Sequence, residues 1–260
     1  MDEHAAARLR TACLRLRRAF ELTAKGDMGG TRTEASRFGL AVFHDGLPLR
    51  YDSNYLLVDG LADTVAAGDL VEEARRLDRP AVMLRDARAG ERLVPGFERL
   101  GWGVHRGLVM AHRRWPEQTP DLSLVREVDE AALRPPRRAQ LAGEPWARPA
   151  VVEQLLEAKL AIARAVEARF FAVLADGRVV SYADLYRDGR TAQVEDVATL
   201  EAHRGRGYAS AVVLRAVEAA RHAGCDLVFL VADADDWPKE LYRRLGFDDL
   251  GRYVKFIRPA

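Results

Sequence analysis

Two α/β (α+β) domains in tandem, each a mixed sheet with flanking helices, are what this 260-residue chain predicts. Three observations carry that expectation. The length exceeds what one small α/β domain needs and suffices for two. Apolar strand-like runs alternate with helical patterns in both halves, in the order strand, helix, strand, helix, strand. A proline-bearing stretch of little periodicity, Trp115-Pro116-Glu117-Gln118-Thr119-Pro120, reads as a linker and divides the chain into residues 1–118 and 119–260.

Composition narrows the class. Hydrophobic residues make up 48%, ample for packed cores, and 40 basic against 39 acidic residues leave a formal charge of +1. A chain so balanced has no global field to recruit nucleic acid or anionic lipid. No apolar run approaches the ~18 residues of a membrane span, and no short apolar segment with a cleavage site opens the sequence. The two cysteines, Cys13 and Cys225, fall in core-like patterns and read as buried free thiols in a reducing cytoplasm.

In the first half, residues 5–22 carry Leu9, Cys13, Leu16 and Phe20 at helical spacing, with arginines elsewhere, and predict a helix packed on its own domain. Residues 25–36, rich in Gly and Thr, read as a loop. Strands follow over 37–44 and 54–60, then a helix over 63–77, a strand over 80–86, a helix over 91–101 and a strand over 103–114.

The second half opens with a strand at 123–128. Residues 130–168 are mostly helical, with interruptions expected at Pro135-Pro136 and at Gly143-Glu144-Pro145-Trp146; Trp146 either lines a pocket or plugs a packing gap. Two strands joined at Gly177 read as an antiparallel hairpin, and a third covers 192–200. A helix over 208–223, ended by Gly224, leads into the near-continuous apolar run 226–233, a central strand. Strand-helix-strand of this kind makes the two strands parallel.

Between that strand and helix lies Arg204-Gly205-Arg206-Gly207. Two glycines let a turn bring backbone N–H groups close to an anion, and the helix beginning near Tyr208 adds unsatisfied donors and the positive end of its dipole. No Gly-Lys-Ser/Thr follows, so this is not a P-loop, and the GxGxxG spacing of a dinucleotide fold is missing.

Arg204-x-x-Gly207-x-Ala209 after a strand, with Leu241-Tyr242-Arg243-Arg244-Leu245-Gly246-Phe247 downstream, resembles the GNAT superfamily of acyl-CoA-dependent N-acetyltransferases. The resemblance spans about residues 121 to 260. It implies acetyl-CoA as cosubstrate, its pyrophosphate on Arg204, Gly205, Arg206, Gly207, Tyr208, Ala209 and Ser210, and its pantetheine against the backbone of Val197, Ala198 and Thr199. Where the family often has asparagine seven positions before the tyrosine, this chain has Asp235, which accepts but does not donate when ionised and so weakens a coenzyme contact carried over there. Gly96-Phe97-Glu98-Arg99-Leu100-Gly101-Trp102 echoes the later motif in the first half. Its counterpart of the glycine turn, Asp59-Gly60-Leu61-Ala62-Asp63, has no arginine, and Phe97 has no hydroxyl. Residues 1–118 therefore read as a degenerate copy that buttresses the catalytic domain or walls the acceptor site.

Transfer from a thioester to an amine needs a neutral amine, a home for the oxyanion and a proton for the departing thiolate. A tyrosine with a reference pKa of about 10 stays protonated above a thiol at about 8.5, and in the family the tyrosine of this motif faces the coenzyme sulfur, so Tyr242 is the candidate acid. Glu195 and Asp196 are adjacent on a strand and should point to opposite faces. Glu195, sharing a face with Val197 and Thr199, is the candidate base, acting directly or through water; Asp196 and a water chain stay open. A backbone N–H of Val197, Ala198 or Thr199 is the candidate oxyanion donor. His203 and His222 read as loop and surface residues, and no His/Cys cluster has metal-ligand spacing.

The expected activity is acetyl transfer by direct attack of a primary amine, small molecule or peptide, by a monomer or homodimer. A non-catalytic acyl-CoA sensor or interaction module would keep the glycine turn and dispense with Tyr242. RNA binding through the arginines is disfavoured by the near-neutral charge.

Overall fold

The computed structural model describes residues 31–50, 53–58 and 60–259; the helix expected over residues 5–22, with Cys13, lies outside them. The described residues hold eleven strands and six α-helices. They fall into two compact units that interleave along the chain. The first comprises Val109–Val231 and Trp237–Leu250; the second comprises residues 31–108, 232–236 and 251–259.

In the second unit, β1 (Thr31–Ser36), β2 (Gly39–His44) and β3 (Tyr55–Val58) form an antiparallel meander. Helix α1 (Ala67–Arg76) crosses over to β4 (Ala81–Leu84), which is parallel to β3. After α2 (Ala87–Arg99) comes β5 (Gly103–His112). The last strand of the chain, β11 (Phe247–Ile257), runs antiparallel to β4 with Val254 opposite Leu84. Leu70, Leu93, Phe97, Trp102, Val254 and Phe256 pack into one core, with the Phe97 and Phe256 rings stacked 3.7 Å apart. Phe97 is thus a core residue.

Strand β1 occupies residues read from sequence as loop. Its residues are largely exposed, so no alternation marks it; the ladder with β2, Arg32 opposite Phe43 and Glu34 opposite Ala41, supplies the order.

The first unit carries β6 (Val125–Val128), α3 (Glu130–Ala142), α4 (Pro149–Ala165), β7 (Glu167–Ala175), β8 (Arg178–Asp188), β9 (Thr191–Thr199), α5 (Tyr208–His222), the start of β10 (Leu227–Asp233) and α6 (Pro238–Arg244). Strands β6 to β9 form an antiparallel meander, and β10 joins β9 in parallel. Asp176 and Gly177, both at positive φ, make the tight turn of the β7–β8 hairpin. Helix α3 runs through Pro135-Pro136, contrary to the expected break. The prolines withhold N–H groups from the carbonyls of residues 131 and 132, yet Leu133 and Arg137 are anchored in the interior on either side. The real interruption is at Gly143, the C-cap, and α4 restarts with Pro149 in its first turn. Trp146 lies in this link, 44% exposed.

Candidate active site

The chemistry-bearing part of the first unit is built on an irregularity in the β8–β9 ladder. Leu185 pairs with Val194 and Asp184 with Glu195, but Tyr182 pairs with Ala198. Asp196 and Val197 together oppose the single residue Ala183, which is a β-bulge, and Asp196 takes φ +55 to accommodate it. Cross-strand partners point to the same side of a sheet. Glu195 therefore shares its face with Asp184, Tyr182 and Ala198, while Thr199 faces the other way beside Ser181, their hydroxyl oxygens 2.8 Å apart. The expected grouping of Glu195 with Val197 and Thr199 rested on strict alternation, which the extra residue breaks.

The bulge also removes the strict alternation that would send Asp196 to the face opposite Glu195. Arg137, from α3 and only 2% exposed, donates from Nε to Asp196 at 2.6 Å, from Nη1 to Glu130 at 3.2 Å and from Nη2 to Asp184. One guanidinium thus collects Asp184 and Asp196 on the face that Glu195 occupies. Lys159 of α4 lies 3.4 Å from the other oxygen of Asp196. The Tyr186 hydroxyl donates to Asp184 at 2.5 Å, and that of Tyr182 to Gln140 at 2.7 Å.

Burial is the largest influence on Asp184, Asp196, Lys159 and Arg137. It pushes the Asp184 carboxyl up, with neighbouring Asp196 adding to the shift, to about 7. Burial acts the same way on Asp196, but Lys159 and Arg137 outweigh it and hold that group below the usual carboxylate range. Desolvation lowers Lys159 and Arg137, and the carboxylates around them more than reverse it. Sequence reasoning missed this cluster. Its one visible signal was Asp184, a carboxylate between Tyr182 and Tyr186 on the inward parity of a strand.

Strands β9 and β10 pair only over Leu227–Phe229 and Thr191–Gln193, though both continue beyond. The 194–199 stretch of β9 is thus released from β10, leaving backbone of Val197, Ala198 and Thr199 without a partner strand on that side. Tyr242 lies on α6 and is 9% exposed. Its phenol is pushed up to about 12, by burial first and by the charge of Glu195 second. The charge of Glu195 is therefore felt at Tyr242, and Glu195 accepts a hydrogen bond from Gln193 Nε2 at 2.6 Å. The rest of the motif is explained by the turn after α6. Gly246 sits at φ +91, and a Cβ there would come within 1.7 Å of the Arg114 carbonyl oxygen.

From Thr199 the chain makes a single 3₁₀ turn, Glu201–His203, and reaches Arg204. Gly205 and Gly207 take φ +76 and +77, and Gly207 caps α5 with no side chain on its first amides. A Cβ at either glycine would meet nothing within 4 Å, so conformation, not crowding, requires glycine, and the space above the turn is open. The N–H groups of Tyr208, Ala209 and Ser210 form the uncapped first turn, while that of Ala211 bonds Gly207. Arg204 donates to the Thr199 carbonyl at 3.3 Å, and Arg206 is exposed with no ion pair to a described residue. Asp235 belongs to the second unit, where it pairs with Arg106 at 3.0 Å.

A separate cavity of about 240 Å³, between α5 and strands β6 and β7, is lined by Glu127, Arg169, Phe171, Arg215 and Glu218 among others. Its charges neutralise each other in the pairs Glu127–Arg169 and Arg215–Glu218. Among the described residues no group of three or more His, Cys, Asp or Glu side chains is arranged to hold a metal, and no helix is long and apolar enough to cross a membrane.

Over residues 126–247 the chain matches the model of the acetyltransferase (GNAT) family. That segment contains the bulge, the glycine turn and Tyr242. Residues 126–247 are a GNAT acetyltransferase domain. The family is one of acyltransferases, and the fold likeness extends beyond the GNAT domain. A functionally unknown conserved protein from Staphylococcus epidermidis matches with TM-score 0.65 at 16% identity, over 88% of this chain and 94% of that one. A GCN5-related N-acetyltransferase from Kribbella flavida matches with TM-score 0.58 at 20% identity, over 98% and 96%. One from Sphaerobacter thermophilus matches with TM-score 0.55 at 19% identity, over 85% and 81%. At these identities the likeness is one of fold. No curated protein sequence matches the chain.

Proposed function

We propose that the chain is an acetyl-CoA-dependent N-acetyltransferase that acetylates a primary amine by direct attack, with residues 119–260 carrying the chemistry. The observation that carries this reading is the charge of Glu195 acting on the buried phenol of Tyr242, in a unit where β9 is released from β10 beyond Gln193. The open glycine turn, with uncapped amides and Arg204 and Arg206 alongside, suits the pyrophosphate of acetyl-CoA. Bound acetyl-CoA supplies an activated acyl carbonyl and a thiol leaving group.

The protein's own groups have divided tasks. Glu195, directly or through one water, takes the proton that makes the acceptor amine nucleophilic. A backbone N–H of Val197, Ala198 or Thr199 donates to the developing oxyanion. Tyr242 donates to the departing sulfur; held near 12, the phenol stays protonated until charge develops there, and as a weaker acid than a thiol it acts by stabilising that charge in the transition state. The acceptor is a small-molecule or peptide amine. Near-neutral net charge and a buried free thiol at Cys225 suit work in a reducing cytoplasm without nucleic acid.

The test is thiol release from acetyl-CoA across a panel of primary amines, with the acetylated product identified by mass spectrometry. Calorimetric binding of acetyl-CoA with no release for any amine would replace the enzyme with an acyl-CoA sensor.

A further inference from the structure

We infer that Arg137 is a positioning residue of the GNAT domain: its guanidinium holds the β9 bulge at Asp196 and, through the bulge, sets the direction of Glu195 and of the amides that follow. The inference rests on the reading above, in which Glu195 is the base, and adds the part that aims it.

The argument starts from backbone conformation. Asp196 occupies φ +55, a region that aspartate tolerates better than most residues in turns but that is foreign to the interior of a strand, where it needs support from outside the backbone. Arg137 provides that support. Its three nitrogens each meet a different carboxylate, Asp196 on the bulge itself, Asp184 on the neighbouring strand and Glu130 at the start of its own helix. Asp184 is the cross-strand partner of Glu195. One rigid planar fork therefore ties β8 to β9 at the step where their register slips. Phe170 and Tyr182 lie within cation–π reach at 5.7 and 5.5 Å, fixing the plane of the fork. Lys159 supports the outer oxygen of Asp196 but, as a point charge, does not bridge the strands.

Removing the fork has a directional consequence. A ladder that loses its bulge shifts by one residue, and a one-residue shift sends side chains to the opposite face. Either Glu195 or the segment from Val197 to Thr199 must then turn away from Tyr242. A merely structural ion cluster behaves differently, because replacing it disturbs packing without selecting one backbone angle.

The experiment uses the full chain with acetyl-CoA and the amine found in the panel, and compares Arg137→Gln, Arg137→Lys and the double variant R137Q/D196G. Arg137→Gln is expected to lower kcat on the order of 100-fold, the scale of a ~1 Å misplacement, and to displace the acidic limb of the kcat/KM profile. Arg137→Lys, keeping charge without the fork, falls between. In the double variant glycine adopts positive φ unaided, so about tenfold or more of the loss returns, although Asp184 still lacks its guanidinium partner. Near wild-type turnover in Arg137→Gln, or no recovery in the double variant, overturns the inference. Should the wild-type protein release no thiol with any amine, the enzymatic reading fails by itself. The crystal structure of Arg137→Gln then decides the positioning role: residue 196 at negative φ upholds it and residue 196 still at positive φ removes it. If Arg137→Gln does not fold, the same angle and the same kinetics are read in Arg137→Lys.

Discussion

The carboxylate of Glu195 lies near enough to Tyr242 to raise its phenol pKa, adding to the larger effect of burial and bringing it up to about 12. Through the neutral range Tyr242 therefore keeps its proton, as an acid for a departing thiolate must. Tyr242→Phe retains the ring packed edge-on against Phe247 and removes only the proton. Turnover should fall on the order of 100-fold, the scale of a general acid, while the calorimetric affinity for acetyl-CoA stays within about twofold, since the hydroxyl acts in the transition state alone. Equal loss of affinity would show that the phenol is a binding group.

The same pair read from the other side predicts a titration. Glu195→Gln removes the negative charge that contributes to the Tyr242 shift, so the phenol of the variant should titrate below that of the wild type, followed by tyrosinate absorbance. The variant should also lose the acidic limb of its kcat/KM profile, because no carboxylate remains to be protonated there. Survival of that limb would move the base to Asp196 or to a chain of water.

Much of this was legible from local rules. The turn at Gly177 between alternating strands and the helix after Gly207 each follow from one residue's backbone freedom or one periodicity, and each is where those rules put it. What stayed hidden depends on two segments at once. The face of Glu195 cannot be read from β9 alone, because the extra residue is defined only against β8. Nothing in its own segment marks Arg137, which follows two prolines, and only the packing of α3 on the sheet gives it three carboxylates. Strand β1 likewise owes its order to its neighbour, not to its own pattern.

Gly207 offers a test of the coenzyme turn that does not depend on the chemical step. With φ +77 and open space around it, Gly207→Ala should fold, but an L-residue there costs about 1–2 kcal/mol. The free turn can relax to negative φ and swing its amides away, and binding must then restore the strained form. Acetyl-CoA affinity should drop roughly 5- to 30-fold, the equivalent of that strain, whereas S-acetylpantetheine, which lacks the pyrophosphate, should bind the variant and wild type alike. Arg206→Ala should add a loss that shrinks as salt is raised, since its charge is exposed.

His112 predicts how stability depends on pH. The ring is 3% exposed, sits 5.2 Å from both Trp115 and Phe247, and neither nitrogen has a hydrogen-bond partner among the described residues. Burial, reinforced by Arg221 and Arg114, depresses its pKa from 6.5 to about 4. Between those values the unfolded chain binds a proton that the folded protein refuses, so the stabilising contribution is full above pH 6.5 and is lost as pH falls through 4. At 1.36 kcal/mol per unit the loss amounts to roughly 3 kcal/mol. Asp184 works the other way: raised to about 7, it makes the folded state the better proton binder and lowers stability as pH rises toward 7. The wild type should consequently show a shallow profile in this window, because the two slopes oppose. His112→Leu keeps a similar volume and no titratable group, so urea unfolding should leave the Asp184 slope exposed, with stability falling from about pH 4 to about pH 7. A variant whose profile tracks that of the wild type would mean that His112 finds a proton acceptor when charged, and that its isolation between two aromatic rings does not govern the acid side of the curve.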